Sequence, residues 1–479
     1  MRIARQLLPA LVLVLPVATG AQARDPAREL DAYVAKALKD WNVAGFAIAV
    51  VHHGRMVFAK GYGVREMGKP APVDTQTIFA IASTTKAMTA AALGMLVDEG
   101  KIDWDDRVID HLPGFQMADP YVTRELTIRD LLTHRAGVPN ADFLWTAGDN
   151  SRDEVVRRVR FLEPSYSLRA GYTYHNVMYT VAGEVVEAVS GMSWDDFIRT
   201  RIFEPLDMTR SVTTLAAAST RDNRAEPHWL SGDTLRVIKN SMADGIGPAG
   251  SVWSSVADMA KWVRFLLDTG RVNGRRLLQP DTWADLFRPQ HIIPSGGRGS
   301  PIVRLTKPHW RTYGLGWFQQ DYKGRQVDFH TGSLNGMIAM NGLIREEGLG
   351  VYMLGNTDHA ELRHALMFKV FDLWLGLGNR DWSAELLAEY RADEQRASGR
   401  GRGAGRVQNT RPSLPLEQYT GTFVDSLYGS VTVTMEEGAL RFHRSQYQIG
   451  TMEHWQYDTF RVRWDDWWRG SSTITYVIG

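Results

Sequence analysis

Apolar and polar residues alternate along this chain with two periods, and the switches between them outline the fold. Residues 30–41 carry apolar positions at helical spacing. Residues 45–51 and 55–60 then read as two strands, with His53-Gly54 turning between them as a hairpin. Met88, Ala91, Ala92, Met95 and Leu96 recur at helical spacing again, and Gly100 supplies the stop. Thr127 and Asp130 stand at capping-box spacing and open a short helix that residues 137–139 end, with His134 in its last turn, where it is expected to bond nearby carbonyls. Residues 177–189 form a longer helical run that Asn176 or a neighbour could cap, and Ser193 caps a further one up to Pro205. Residues 247–251 read as a tight loop and 258–267 as a helix. The pattern then returns to strands at 313–320, 326–330, 337–344 and 350–355, with Glu346-Glu347-Gly348 linking the last two. Strands at both ends with helices between them predict one antiparallel sheet that the chain leaves and rejoins.

Two stretches fall outside this body. Residues 1–23 begin with Arg2 and Arg5, continue as an apolar run over 7–18 too short to span a bilayer, and end on Ala21-Gln22-Ala23. That is the pattern of a cleaved export signal, so the mature chain is expected in the periplasm or secreted, without a stable membrane anchor. Residues 391–412 shift to arginine and glycine, a composition that cannot bury a core and reads as a flexible linker. Beyond it, residues 413–479 are strand-rich and aromatic, a small β domain that is short for a closed eight-stranded barrel.

Composition narrows the chemistry. The 479 residues suffice for two or three domains with a large core. A formal net charge of +1 gives no bulk attraction to nucleic acid or anionic lipid, and no nucleic-acid partner is expected. The absence of cysteine removes disulfides, thiol nucleophiles and cysteine metal sites. What remains is a candidate hydroxyl nucleophile. Ser83 and Lys86 lie three residues apart at the start of the helix after Ile81, which puts both side chains on one face. Free N–H groups and the positive dipole end of the first turn favour negative charge developing there. Ser-x-x-Lys is a nucleophile–base pair in which a desolvated neutral lysine takes the serine proton.

Ser83-x-x-Lys86, Tyr174-x-Asn176 and His330-Thr331-Gly332, in that order, resemble the three signatures of the penicillin-recognising serine hydrolases, which include class C β-lactamases, D-Ala-D-Ala carboxypeptidases, D-aminopeptidases and related esterases. The flanks 131–137, 202–208 and 248–250 are similar too, and the likeness spans roughly residues 28–378. Tail segments 419–423, 427–429 and 453–460 resemble the lipocalin-like C-terminal domain of Pab87-related S12 peptidases, with a last strand in doubt.

The resemblance implies an α/β fold of the β-lactamase/transpeptidase type: an antiparallel sheet flanked by helices, an inserted helical domain, and the site between them. It implies Ser83 as nucleophile, Lys86 as base and Tyr174 as acid/base partner for the leaving group. Asn176 would position the substrate amide, and His330, Thr331 and Gly332 would bind substrate. The backbone N–H groups of Ser83 and Ser333 would form the oxyanion hole, with no metal or cofactor. Lysine-bearing relatives present a permanent cation where this chain has His330. A histidine titrating near 6.5 would weaken carboxylate binding at neutral pH. This favours a peptidase on D-residue peptides or amides. An esterase or weak β-lactamase, and an acylating sensor without turnover, are the alternatives. The substrate is a small peptide, amide, ester or β-lactam; the oligomeric state is left open.

Overall fold

The computed structural model describes residues 25–148, 150–294, 299–358, 360–399 and 405–478. The export signal expected at residues 1–23 lies outside them. Among the described residues no helix is long and apolar enough to cross a membrane.

Eight strands form one antiparallel sheet. They are β1 (Gly45–His52), β2 (Arg55–Gly63), β3 (His291–Ile292), β4 (Arg311–Tyr313), β5 (Phe318–Tyr322), β6 (Arg325–Leu334), β7 (Met337–Ile344) and β8 (Leu349–Gly355), ordered β2-β1-β8-β7-β6-β5-β4-β3. The chain leaves after β2, builds its helical part, and rejoins at the far edge with β3. β1, one strand in from the β2 edge, pairs with β8, Phe46 opposite Gly355 and Val50 opposite Val351. Because successive side chains alternate faces, β1 serves two cores at once. Phe46, Ile48 and Val50 join one core, while Ala47, Ala49 and Val51 join the other. A strand covered on both faces needs a nearly continuous apolar run, and Gly45-Phe46-Ala47-Ile48-Ala49-Val50-Val51 is one.

The first core is closed by α1 (Pro26–Asp40) together with two later helices, Ala360–Trp374 and Trp382–Gly399. Asp25 caps α1, accepting from Ala27 and Arg28 N–H, and Leu30, Val34, Ala37 and Leu38 form its buried face. The second core surrounds α2 (Lys86–Asp98). This helix is buried on every side from Lys86 to Leu96, so it is apolar all round rather than striped. α3 (Val177–Ser190) and α4 (Val256–Leu267) pack near it, and each large side chain fully removed from water there contributes about 1.5–3 kcal/mol.

Several boundaries differ from the sequence expectation. The strand expected over 313–320 is two strands, broken at Gly314-Leu315-Gly316. Gly316 has φ +85° and sits against the start of α2, where a Cβ would come within 3.1 Å of the Ala87 backbone. The loop expected at 247–251 contains a helical turn, Gly247–Gly250. The linker expected over 391–412 is helical through residue 399, and residues 400–404 lie outside the described residues. Asn176 stands at the N-terminus of α3 without capping it.

The tail is a six-stranded antiparallel meander, Gly421–Asp425, Gly429–Glu436, Ala439–Ser445, Gln448–Gln456, Thr459–Trp464 and Ser471–Thr475, each paired with its sequence neighbour. The first and last strands do not pair with each other among the described residues, so the domain is a half-barrel. Tyr419, Val433, Leu440, Phe442, Met452, Phe460 and Val462 fill it. It docks on the helical part through Arg158 Nη1 to Leu427 O at 3.1 Å, Ser445 Oγ to Ala147 O at 2.6 Å, and Arg444 to Phe143 O.

Candidate active site

Ser83 lies in a single 3-10 turn, Ala82–Thr85, that runs directly into α2. Ala82 enters it at φ +48°, a left-handed conformation costly for a residue with a side chain and common at functional sites. The turn is held from both sides. Ile81 N–H donates to Val252 O at 2.9 Å, and Gly332 of β6 packs so closely on the Ile81 carbonyl that a Cβ would stand 2.1 Å from it. Only glycine lets the strand approach this far. Ser83 is half-buried at this junction, and Ser333, the next residue along β6, is exposed beside it.

Lys86, one turn on, is fully buried. Its Nζ lies 3.1 Å from Ser83 Oγ, 2.7 Å from Asn176 Oδ1 and 2.9 Å from the Ala249 carbonyl. Asn176 Oδ1 and Ala249 O can only accept. They take the two protons of a neutral amine and leave its lone pair for the Ser83 hydroxyl. After proton transfer the same three oxygens satisfy all three protons of the ammonium. Burial pushes the Lys86 pKa down to about 7, against a smaller opposing pull from the Asp142 charge. The helical turn at Gly247–Gly250 delivers the Ala249 carbonyl, and Thr89 Oγ1 fixes it by donating to Pro248 O at 2.7 Å.

Asn176 spends both ends of its amide within the protein. Its Nδ2 donates to Asp142 Oδ1 at 2.8 Å, and Trp145 Nε1 donates to the same oxygen at 2.8 Å. Asp142 therefore orients the residue that holds Lys86. No spacing relative to the three motifs pointed to it.

Tyr174 packs over the lysine, with Lys86 Nζ 4.9 Å from its ring centroid. Burial raises its pKa, only partly offset by a hydrogen bond with Ser83, so it is a neutral phenol at physiological pH. Two buried histidines lie beneath. His134 packs against Tyr174 in a tilted arrangement, 4.3 Å between centroids, and accepts from His175 N–H at 3.3 Å. This corrects the expected role of His134. It follows its helix at φ +59°, beyond the last turn, and its ring supports Tyr174 instead of bonding carbonyls. Burial lowers both pKa values, that of His175 to about 4 and that of His134 well below its usual 6.5, so both rings are neutral. Asp130 holds the segments carrying these rings together. It is buried, bonds Thr127 N–H at 3.1 Å, and pairs with Arg135 at 2.6 Å and Arg169 at 2.7 Å.

His330 differs most from its expected role. It is buried, with Nδ1 2.7 Å from Thr331 O and Nε2 2.9 Å from Tyr313 Oη. A carbonyl only accepts, so Nδ1 carries the proton and Nε2 accepts from the phenol. Burial, with the Lys86 charge adding to it, pushes the pKa down to about 3. The ring is neutral, and both nitrogens are engaged within the protein. Thr331 contributes the carbonyl that fixes this tautomer, and Gly332 makes the close approach to Ile81. The buried Arg363 guanidinium reaches the same strand, donating to Gly332 O and, at 3.2 Å, to Ala339 O. Gly332 O belongs to the peptide whose N–H is that of Ser333, so this bond orients the expected oxyanion donor. Burial lowers the Arg363 pKa to about 10, which leaves it cationic at neutral pH.

Comparison with known proteins places the chain in a family and a fold. The family profile described as Beta-lactamase matches residues 30–370, and a domain of unknown function, DUF3471, matches residues 405–479. The chain is 27% identical over 437 residues to the unguisins hydrolase ungD' of Aspergillus campestris, covering 84% of this chain and 77% of that protein. It is 25% identical over 337 residues to protein flp of Staphylococcus aureus, covering 70% of this chain and 64% of that one. Among solved structures, an octameric penicillin-binding protein homologue from Pyrococcus abyssi superposes with a TM-score of 0.65 at 22% identity, over 91% of this chain and 92% of that one, a likeness of fold.

Proposed function

The chain belongs to the beta-lactamase family, and on that premise we propose that it is a serine hydrolase that forms a covalent acyl-enzyme on Ser83. The observation that carries this reading is the Lys86 amine. It is buried, near neutral, and held by two fixed acceptors so that its lone pair faces Ser83 Oγ. Lys86 takes the hydroxyl proton as Oγ bonds to the substrate carbonyl carbon. The N–H groups of Ser83 and Ser333 donate to the developing oxyanion. Tyr174, protonated at rest, gives its proton to the leaving nitrogen or oxygen as that bond breaks, and Lys86 then returns a proton to it. A water repeats the sequence on the acyl carbonyl: its proton passes to the Tyr174–Lys86 pair, and Oγ recovers a proton as it departs.

The proposed substrate is a peptide or amide containing a D-residue, cleaved by an S12-type peptidase. A relative carries the printed name unguisins hydrolase, which supports hydrolysis as the reaction. In addition, the engaged, uncharged His330 offers no cation to a substrate carboxylate of the kind penicillins carry. Export to the periplasm is proposed on the pattern of residues 1–23 alone. A fluorophosphonate probe tests the nucleophile, with the adduct mapped by mass spectrometry. The adduct is expected on Ser83, and Ser83→Ala should lose both labelling and several powers of ten in ester turnover. Labelling elsewhere, or activity retained in Ser83→Ala, refutes the assignment. Stoichiometric labelling without turnover would identify a sensor in place of an enzyme.

A further inference from the structure

We propose that the tail half-barrel completes a substrate subsite that receives an aromatic or bulky apolar group on the acyl side of the scissile bond. This rests on the hydrolase reading and specifies its substrate. A cleft of about 480 Å³ opens where β6 ends, with Ser333 and Leu334 on one side and Trp464 and Trp468 of the tail on the other; Trp145 and Trp229 close it. That volume lies within the usual range for a small-ligand site. The cleft begins at Ser333, whose N–H is assigned to the acyl oxygen, and runs outward past the end of the strand. Because Ser333 lines the cleft, we assign it to the substituent that stays on the acyl carbon, and the two esters below, which share a leaving group, test that assignment.

The walls suit a flat ring held rigidly. Trp145 is pinned by its Nε1 bond to Asp142, and Trp464 Nε1 donates to Ser472 Oγ at 3.2 Å. Trp468 Nε1 is itself buried, with no hydrogen-bond partner among the described residues, so what this residue offers the cleft is its indole ring. Offset or edge-on packing of a ligand ring against indoles adds to plain area burial. Polar groups in the same lining, among them Asp358, Gln448, Asn335 and Arg469, fit a peptide backbone better than a lipid chain.

The tail is also tied to the catalytic machinery through one loop. Asp142 on that loop holds Asn176, while the Phe143 and Ala147 carbonyls of the same loop accept from Arg444 and Ser445 of the tail. The half-barrel thus fixes the segment that carries both Trp145 and the support of the base, and its own tryptophans form the opposite wall.

The test compares p-nitrophenyl 3-phenylpropionate with p-nitrophenyl acetate, two esters that share a leaving group and differ only in the acyl chain. It uses the full chain and its Trp468→Ala, Trp464→Ala and Trp468→Phe variants. Wild type should prefer the aromatic acyl group. Each alanine variant should lower the ratio of kcat/KM for the two esters roughly tenfold or more, and Trp468→Phe should keep most of it. 3-Phenylpropionate should inhibit acetate turnover competitively in wild type and more weakly in Trp468→Ala. This second reading serves even if a variant loses overall activity through lowered stability. A ratio unmoved by both alanine substitutions, or both esters falling equally with inhibition unchanged, overturns the subsite and leaves the hydrolase reading standing. No turnover of either ester, with Ser83 unlabelled, overturns both.

Discussion

If Lys86 is the base, kcat/KM for an uncharged ester should show an acid limb centred near pH 7. A lysine at its ordinary value of 10.5 is neutral in only about one molecule in three thousand at pH 7. Burial brings Lys86 to about 7, so roughly half of the enzyme is poised to act at that pH. Below the limb the neutral fraction, and the rate with it, should fall about tenfold for each pH unit. The neighbours leave this window clear. His330 is held near 3 and His175 near 4, His134 lies well below its usual value, and Tyr174 is raised above its own. Asp142 is the neighbouring charge that props the lysine up. Asp142→Asn keeps an oxygen to accept from Asn176 and Trp145 while removing that charge, so the limb should move to lower pH. The assay is p-nitrophenyl acetate turnover from about pH 5 to about pH 9, corrected for spontaneous hydrolysis, on wild type, Asp142→Asn and Lys86→Arg. Arginine cannot release a proton in this range, so Lys86→Arg should be inactive. A flat profile between about pH 6 and pH 8, a limb that moves upward in Asp142→Asn, or turnover in Lys86→Arg would refute the base assignment.

Two further outcomes are expected. The ratio of nitrocefin turnover to neutral-ester turnover should stay constant within about twofold from about pH 5.5 to pH 8, because His330 does not change charge there; a ratio that rises steeply toward acid would mean a titrating histidine facing the substrate. Asp130→Asn should cost roughly 3 kcal/mol in urea unfolding at pH 7, because it leaves Arg135 and Arg169 without their buried partner. Burial alone would raise the Asp130 carboxyl, but Arg169, Arg135 and Thr127 hold it below its ordinary 3.8. Its contribution is therefore present above that value and lost as pH falls through the lower folded one, so the gap between wild type and variant should close in acid.

What could be read from the chain follows the range of the forces involved. The strand expected at 337–344 is β7 to the residue, because a run buried on both faces announces itself locally. Local pattern failed at 391–399 because the arginine and glycine that follow drew the boundary back into a helix. Contacts distant in sequence hold that helix: Arg304 pairs with Glu389 at 2.6 Å and Asp393 at 2.9 Å. The site divides in the same way. Ser83 and Lys86 are three residues apart, on the 3-10 turn and the α2 start that follows it directly, so their meeting is a matter of spacing. Asp142 and Arg363 reach the site only through the tertiary fold, from a loop and from a helix beyond the sheet.

His330 shows why naming a residue differs from naming its role. A histidine on that strand reads as a titratable group facing substrate. Its state is decided by Tyr313, seventeen residues earlier, whose phenol occupies Nε2 while Thr331 O occupies Nδ1. Tyr313 ends β4 at the point where the chain breaks for Gly314-Leu315-Gly316. That break is itself required because Gly316 must clear the backbone at the start of α2. The turn that admits α2 thus lies directly beside the tyrosine that holds the histidine neutral. A change of strand geometry at Gly316 is therefore expected to disturb both Lys86 and the charge state of His330, a coupling that residue types and spacing do not express.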